Sequence, residues 1–108
     1  MDRTHHLRVL IANQRADRLD LLARVVRDLG HEVIAQEIHV KDVGAVTARE
    51  RPDVALVGLG ESSEHALALI SEIVRGAFCP VVALMEAFDG GWIDQAAQRG
   101  VYAYIVDK

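Results

Sequence analysis

Five short apolar runs alternating with four amphipathic stretches constrain this chain more than any other feature. The runs cover residues 7–12 (LRVLIA), 32–36 (EVIAQ), 53–58 (DVALVG), 80–84 (PVVAL) and 102–106 (YAYIV). The third and fourth are continuously apolar and rich in Val and Leu, the character of strands buried on both faces, as in a parallel sheet. Between them, Leu19, Leu22, Val25, Val26 and Leu29 recur at helical spacing, which predicts a helix over 16–29 stopped by Gly30. A weaker helix is expected over 40–50, because Gly44 lies inside it. Ala66, Leu67, Leu69, Ile70, Ile73 and Val74 predict a third helix over 63–75, capped by Ser62 or Ser63 and ended by Gly76. Trp92, Ile93, Ala96 and Ala97 anchor a fourth over 91–99, ending at Gly100.

Strand and helix thus repeat four times before a fifth strand. Such alternation implies right-handed βαβ units and an α/β fold with a doubly wound parallel sheet. At 108 residues the chain suits one domain with one real core. The sequence stops within two residues of the fifth strand, and a doubly wound sheet needs helices on both faces. One covering helix is therefore expected to be lacking, and to come from a longer parent chain or a partner.

Charge narrows the function. Twelve basic and sixteen acidic residues give a net charge of −4, with no broad basic surface for phosphate backbones, so this segment is not expected to bind nucleic acid. Cys79 is the single cysteine and cannot form an internal disulfide, which fits the cytoplasm. No apolar run approaches the ~20 residues that span a bilayer, and MDRTHHLR lacks a signal-peptide core. His5 and His6 have no neighbouring Cys or carboxylate cluster and read as a solvated tail, not a metal site.

In order and spacing, nearly the whole chain resembles the receiver domains of response regulators. RVLIANQRADRLDLLARVVRDLGHEVI resembles the first strand, first helix and second strand of that family. RPDVALVGLG resembles its third strand and following loop, CPVVALMEAF its fourth strand, and RGVYAYIVDK its fifth. The last phrase, with Ala103 and Tyr104, is similar to receivers that precede an RNA-binding ANTAR helical domain in transcription antiterminators. The resemblance implies a flavodoxin-like five-stranded sheet in the order 2-1-3-4-5, with the site at the carboxyl ends of the strands.

An active receiver takes a phosphoryl group onto an aspartate. That needs a carboxylate, a Mg²⁺ ion held by oxygen ligands, and donors for the developing charge. Matched to the family's motifs, the acceptor position holds Gly58 and the acidic pair is Asn13 and Gln14. The switch hydroxyl is replaced by Met85 and the lysine by Asp107. Lys108 stands one residue further on, where a strand side chain faces the opposite way. The switch aromatic is kept as Tyr104. Asp53 is the nearest carboxylate on the third strand, but at its far end, about 17 Å away at ~3.3 Å per residue. Glu61 lies beyond the strand and without an acidic pair. The expectation is a pseudo-receiver with no catalytic residue, no metal and no cofactor.

Other residues carry weaker signals. Asp107, Glu86 and Glu61 fall on the site side of the sheet and read as a solvated rim, since no spacing forces them together on a cation. Gly58 and Gly60 flank Leu59 in a segment too short to mark a phosphate cradle. The run Phe88, Asp89, Gly90, Gly91 suggests a flexible entry to the last helix, and Trp92 reads either as core or as a partner anchor. Tyr102 and Tyr104 share one face. Met85, Trp92 and Tyr104 are expected to form an apolar cluster that freezes the domain in one state. Trp92, Tyr102 and Tyr104 are the interface candidates, for a homodimer or another protein. The competing functions are a small-molecule sensor using the vacated pocket and an active receiver with unusual residues. An enzyme is not expected, because no nucleophile–base pair is visible.

Overall fold

Burial of apolar strands on both faces sets the architecture. The computed structural model describes residues 6–59, 62–76, 79–85 and 89–106. Along the chain run β1 (Arg8–Asn13), α1 (Ala16–Asp28), β2 (Glu32–Glu37), α2 (Val40–Glu50), β3 (Val54–Gly58), α3 (Ser63–Gly76), β4 (Val81–Met85), α4 (Gly90–Gln98) and β5 (Ala103–Val106). The strands pair in parallel in the order β2-β1-β3-β4-β5, the doubly wound order of the flavodoxin-like receiver fold. Every strand lies within one or two residues of its sequence expectation, and α2 matches the expected 40–50.

Strand alternation divides the core in two. Leu10, Ala12, Ala55, Val57, Val81 and Ala83 face α2, α3 and α4, and pack on Val43, Leu69, Ile70, Ile73, Trp92 and Ala96. Val9 and Ile11 face the other way, onto Leu19, Ala23 and Val26 of α1. Each fully buried Leu or Ile contributes roughly 1.5–3 kcal/mol. Among the described residues, α1 is the one helix packed on this second face. Leu21, Val25 and Leu29 of α1 and Ile105 of β5 remain exposed beside it.

Local chemistry fixes the joints. Gly30 ends α1 with φ +92°, a conformation that costs glycine little. Ser62 caps α3, its Oγ accepting from His65 N at 3.2 Å. Asp89 caps α4, its Oδ1 accepting from Trp92 N at 3.1 Å. At the end of α2, Arg51 takes a left-handed φ of 50°, and the Arg8 guanidinium donates to the carbonyls of Glu50 and Arg51. This supplies partners to acceptors that a helix end leaves unmet.

Gly76 lets α2 and α3 approach closely: a Cβ on Gly76 would lie 2.7 Å from the Gly44 carbonyl oxygen. That oxygen belongs to the backbone and cannot swing aside. Gly76→Ala is therefore expected to destabilise the domain by about 1–3 kcal/mol, against about 0.5–1 kcal/mol of gain for Gly→Ala at an unobstructed helical position. Urea unfolding of the two proteins measures the difference.

Candidate functional site

Parallel pairing of β1 with β3 puts Asn13 directly beside Gly58. Both end their strands at the carboxyl edge of the sheet, where folds of this order place their sites. Asn13 is 5% exposed. Its Oδ1 accepts from Arg15 N at 2.8 Å, which fixes the amide's orientation and ties β1 to the start of α1. The other end of the amide, Nδ2, stands against Gly58, where a Cβ on residue 58 would overlap it. The space that a side chain at residue 58 would need is thus filled by the neighbouring asparagine.

Gln14 completes the framework. Its Oε1 accepts from Ser62 N at 2.9 Å, joining the β1–α1 loop to the entrance of α3. Neither amide carries the charge that gathers a divalent cation, and each oxygen is already used by a backbone N–H. No group of three or more His, Cys, Asp or Glu with metal-holding geometry occurs among the described residues.

Met85, which the resemblance matches to the switch hydroxyl, is buried. It lines a groove shared with Asn13, Gly58, Leu84, α1 and Ile105. Asp107, Lys108, Glu61, Glu86, Phe88, Gly60 and His5 lie outside the described residues, and the acidic rim and replaced lysine lie there with them. Asp53 stands just before β3, at the amino end of the sheet. Its Oδ2 accepts from Arg8 N at 2.8 Å, so its role there is a structural bond between strands.

The expected cluster of Met85, Trp92 and Tyr104 forms only in part. Met85 and Trp92 share the buried core. Tyr104 is 46% exposed and outside it, because β5 is an edge strand with no neighbour to cover that side chain. Trp92 is 3% exposed and donates from Nε1 to the Ser63 carbonyl at 3.1 Å, bracing α4 on α3. It belongs to the core and is removed from the candidate surface anchors. Tyr102 and Tyr104 do share a face: with α4 they border an apolar cleft of about 200 Å³ floored by Ala83 and Trp92. Tyr102 precedes β5 and is 79% exposed.

Comparisons with known proteins agree on the fold. No protein-family model and no curated protein matches the chain. Solved structures do. The receiver domain of a modulated diguanylate cyclase from Desulfovibrio desulfuricans superposes with a TM-score of 0.79 at 19% identity, over 94% of this chain and 82% of that one. The response-regulator domain of Thermotoga maritima CheB gives 0.80 at 15%, over 94% and 78%. Vibrio cholerae CheY4 gives 0.77 at 13%, over 94% and 87%. At these identities the likeness establishes the receiver fold.

Two measurements test the site. Gly58→Ala is expected to cost about 1–2 kcal/mol, because the methyl must displace Asn13 from its bond to Arg15 N. In an Asn13→Ala background that cost should largely disappear. A double-mutant cycle by urea unfolding reads the coupling. Burial pushes the Cys79 thiol up from its ordinary range. Its alkylation by iodoacetamide at pH 8 is therefore expected to run several-fold slower than that of a free thiol peptide.

Proposed function

We propose that this chain is a phosphorylation-independent receiver-like domain, a pseudo-receiver that acts in two-component-type signalling by docking a protein partner or a second copy of itself. The observation that carries this reading is the Asn13–Gly58 pair. The acceptor position has no nucleophile, and the amide beside it occupies the space one would need. Asn13 and Gln14 replace the carboxylates that would hold Mg²⁺, and Met85 replaces the hydroxyl donor. Losing acceptor, metal ligands and donor together removes every contribution to phosphoryl transfer that such a site makes. The domain is accordingly read as an interaction module and not an enzyme.

The docking face of this reading is the α4–β5 edge. Tyr102 and Tyr104 stand exposed there beside an apolar cleft, and tyrosine is enriched at binding hot spots. The output would then come from another domain or protein. An ANTAR RNA-binding domain in a parent chain is one such output, supported by the sequence likeness of 99–108 alone.

Light scattering over a concentration series, with and without Mg²⁺ and beryllofluoride, tests the reading. Association unchanged by the additives, and weakened at least about tenfold by the pair Tyr102→Ala and Tyr104→Ala, is the expected outcome. Both residues are exposed, so the double variant should unfold within about 0.5 kcal/mol of the parent. Incubation with acetyl phosphate should leave the intact mass unchanged. An adduct of about 80 Da on a carboxylate, the mass of a phosphoryl group, would restore the active-receiver alternative.

A further inference from the structure

The outer edge of β5 carries a row of backbone groups whose direction can be worked out. Among the described residues β5 has β4 as its one neighbour in the sheet. Ala55 N donates to the Pro80 carbonyl at 2.9 Å and Leu59 N to the Leu84 carbonyl at 3.1 Å. Backbone groups alternate in direction along a strand, so Val82 and Leu84 turn theirs to β3, and Val81, Ala83 and Met85 turn theirs to β5. Tyr102 N agrees, donating to the Val81 carbonyl at 2.9 Å. The register sets Ala83 beside Tyr104, so the groups of Ala83 meet the flanking Ala103 and Ile105. Tyr104 and Val106 therefore direct N–H and C=O outward, in the plane of the sheet. A helix laid on either face covers side chains and leaves that row open.

Charge sets the two edges of the sheet apart. At the far edge β2 reads EVIAQE. Full antiparallel overlap with its own copy would put Glu32 opposite Glu37, and opposed like charges disfavour such pairing. Residues 101–106, VYAYIV, hold no charge and no proline, and β5 keeps an unbroken register with β4. The charges, prolines and bulges by which sheets protect an edge are thus missing from this stretch. Tyr102, Tyr104 and Ile105 are exposed along it.

We propose that β5 pairs antiparallel with β5 of a second copy, about a two-fold axis through Tyr104, in one continuous sheet with five strands from each chain. Tyr104 of each copy exchanges both backbone bonds with the other, and Val106 N donates to the Tyr102 carbonyl across the axis. On the α4 face Tyr104 then meets Tyr104, and Tyr102 meets Val106. On the opposite face Ile105 lies over Ala103, large against small. Aromatic and β-branched cross-strand pairs are favourable ones. The axis brings no like charges together, so the strand is electrostatically compatible with its own copy, as β2 is not. The overlap is short and falls in the class of interfaces below ~1,200 Å² that goes with transient association. A Kd on the order of 0.1–1 mM is expected. The proposal rests on the docking reading's choice of a second copy, and adds how the two copies join.

The experiment combines sedimentation of the 108-residue chain up to about 1 mM with isotope-filtered NOEs in an equal mixture of labelled and unlabelled chain. A monomer–dimer equilibrium is expected, with an intermolecular contact between the Hα atoms of Ala103 and Ile105, a pair whose Cα atoms would approach to about 4.5 Å. Tyr104→Glu and Tyr104→Lys should each weaken association at least about tenfold, because the axis sets like charges opposite each other, and mixing the two should restore it. Tyr104→Pro removes an N–H that β4 does not use. It should unfold close to the Tm of Tyr104→Ala yet form no dimer. A dimer that needs Tyr102 and Tyr104 but lacks the Ala103–Ile105 contact would overturn strand pairing and leave the docking reading standing. A monomer throughout would also overturn the proposal, leaving docking to a different protein. Association only with Mg²⁺ and beryllofluoride would overturn both.

Discussion

Pairing of β1 with β3 at the centre of the sheet is the constraint on which the rest depends. These strands are buried on both sides, so their register is held by apolar packing onto helices above and below. That register delivers Asn13 to Gly58. The asparagine then spends its oxygen on the first turn of α1 and its nitrogen face on the space above the glycine. The site is therefore a positive arrangement of amide against glycine. Asn13 and Gly58 fit each other sterically, and a side chain at residue 58 would press on the amide that joins β1 to α1.

The two faces of the sheet are unequal, and that inequality shapes what the domain presents to its surroundings. Three helices close one face over a continuous core. On the other, α1 covers β1 and β2, while the flank toward β5 leaves Leu21, Val25, Leu29 and Ile105 in contact with water. The α4–β5 edge adds Tyr102 and Tyr104. Apolar side chains thus gather around β5 on both sides of the sheet. Contiguous exposed apolar surface of this kind marks places where soluble proteins meet partners or ligands.

Legibility in the sequence followed the range of the interactions. The nine elements among the described residues were readable, because DVALVG and PVVAL carry the apolar continuity of buried strands and the helices carry local periodicity, whereas the strand order followed from the resemblance to receiver domains. Gly30 and Ser62 were readable as punctuation for the same reason. The close approach of Gly76 to the Gly44 carbonyl was not readable, because it depends on two helices some thirty residues apart that local propensity does not see. Trp92, which the sequence offered as core ahead of a surface anchor, lies in the core with its indole nitrogen on the Ser63 carbonyl, a partner 29 residues away that the sequence does not reveal. Tyr104 was placed on the correct face but not at its depth, since depth depends on what lies beyond an edge strand. At the site, the residue substitutions were visible in the chain. The overlap of Asn13 with residue 58, and the bond from Gln14 to Ser62 across 48 residues, depend on cross-strand geometry.

A titration of the ¹⁵N-labelled chain with Mg²⁺ and then beryllofluoride tests the central claim most directly, because it reads Asn13, Gln14, Gly58 and Met85 individually. The Asn13–Gly58 arrangement predicts no saturable shift at these residues at millimolar Mg²⁺, and none on adding beryllofluoride. Saturable shifts centred on Gly58 and Met85 would show that the pocket still gathers a cation and a phosphoryl mimic, and would contradict the account.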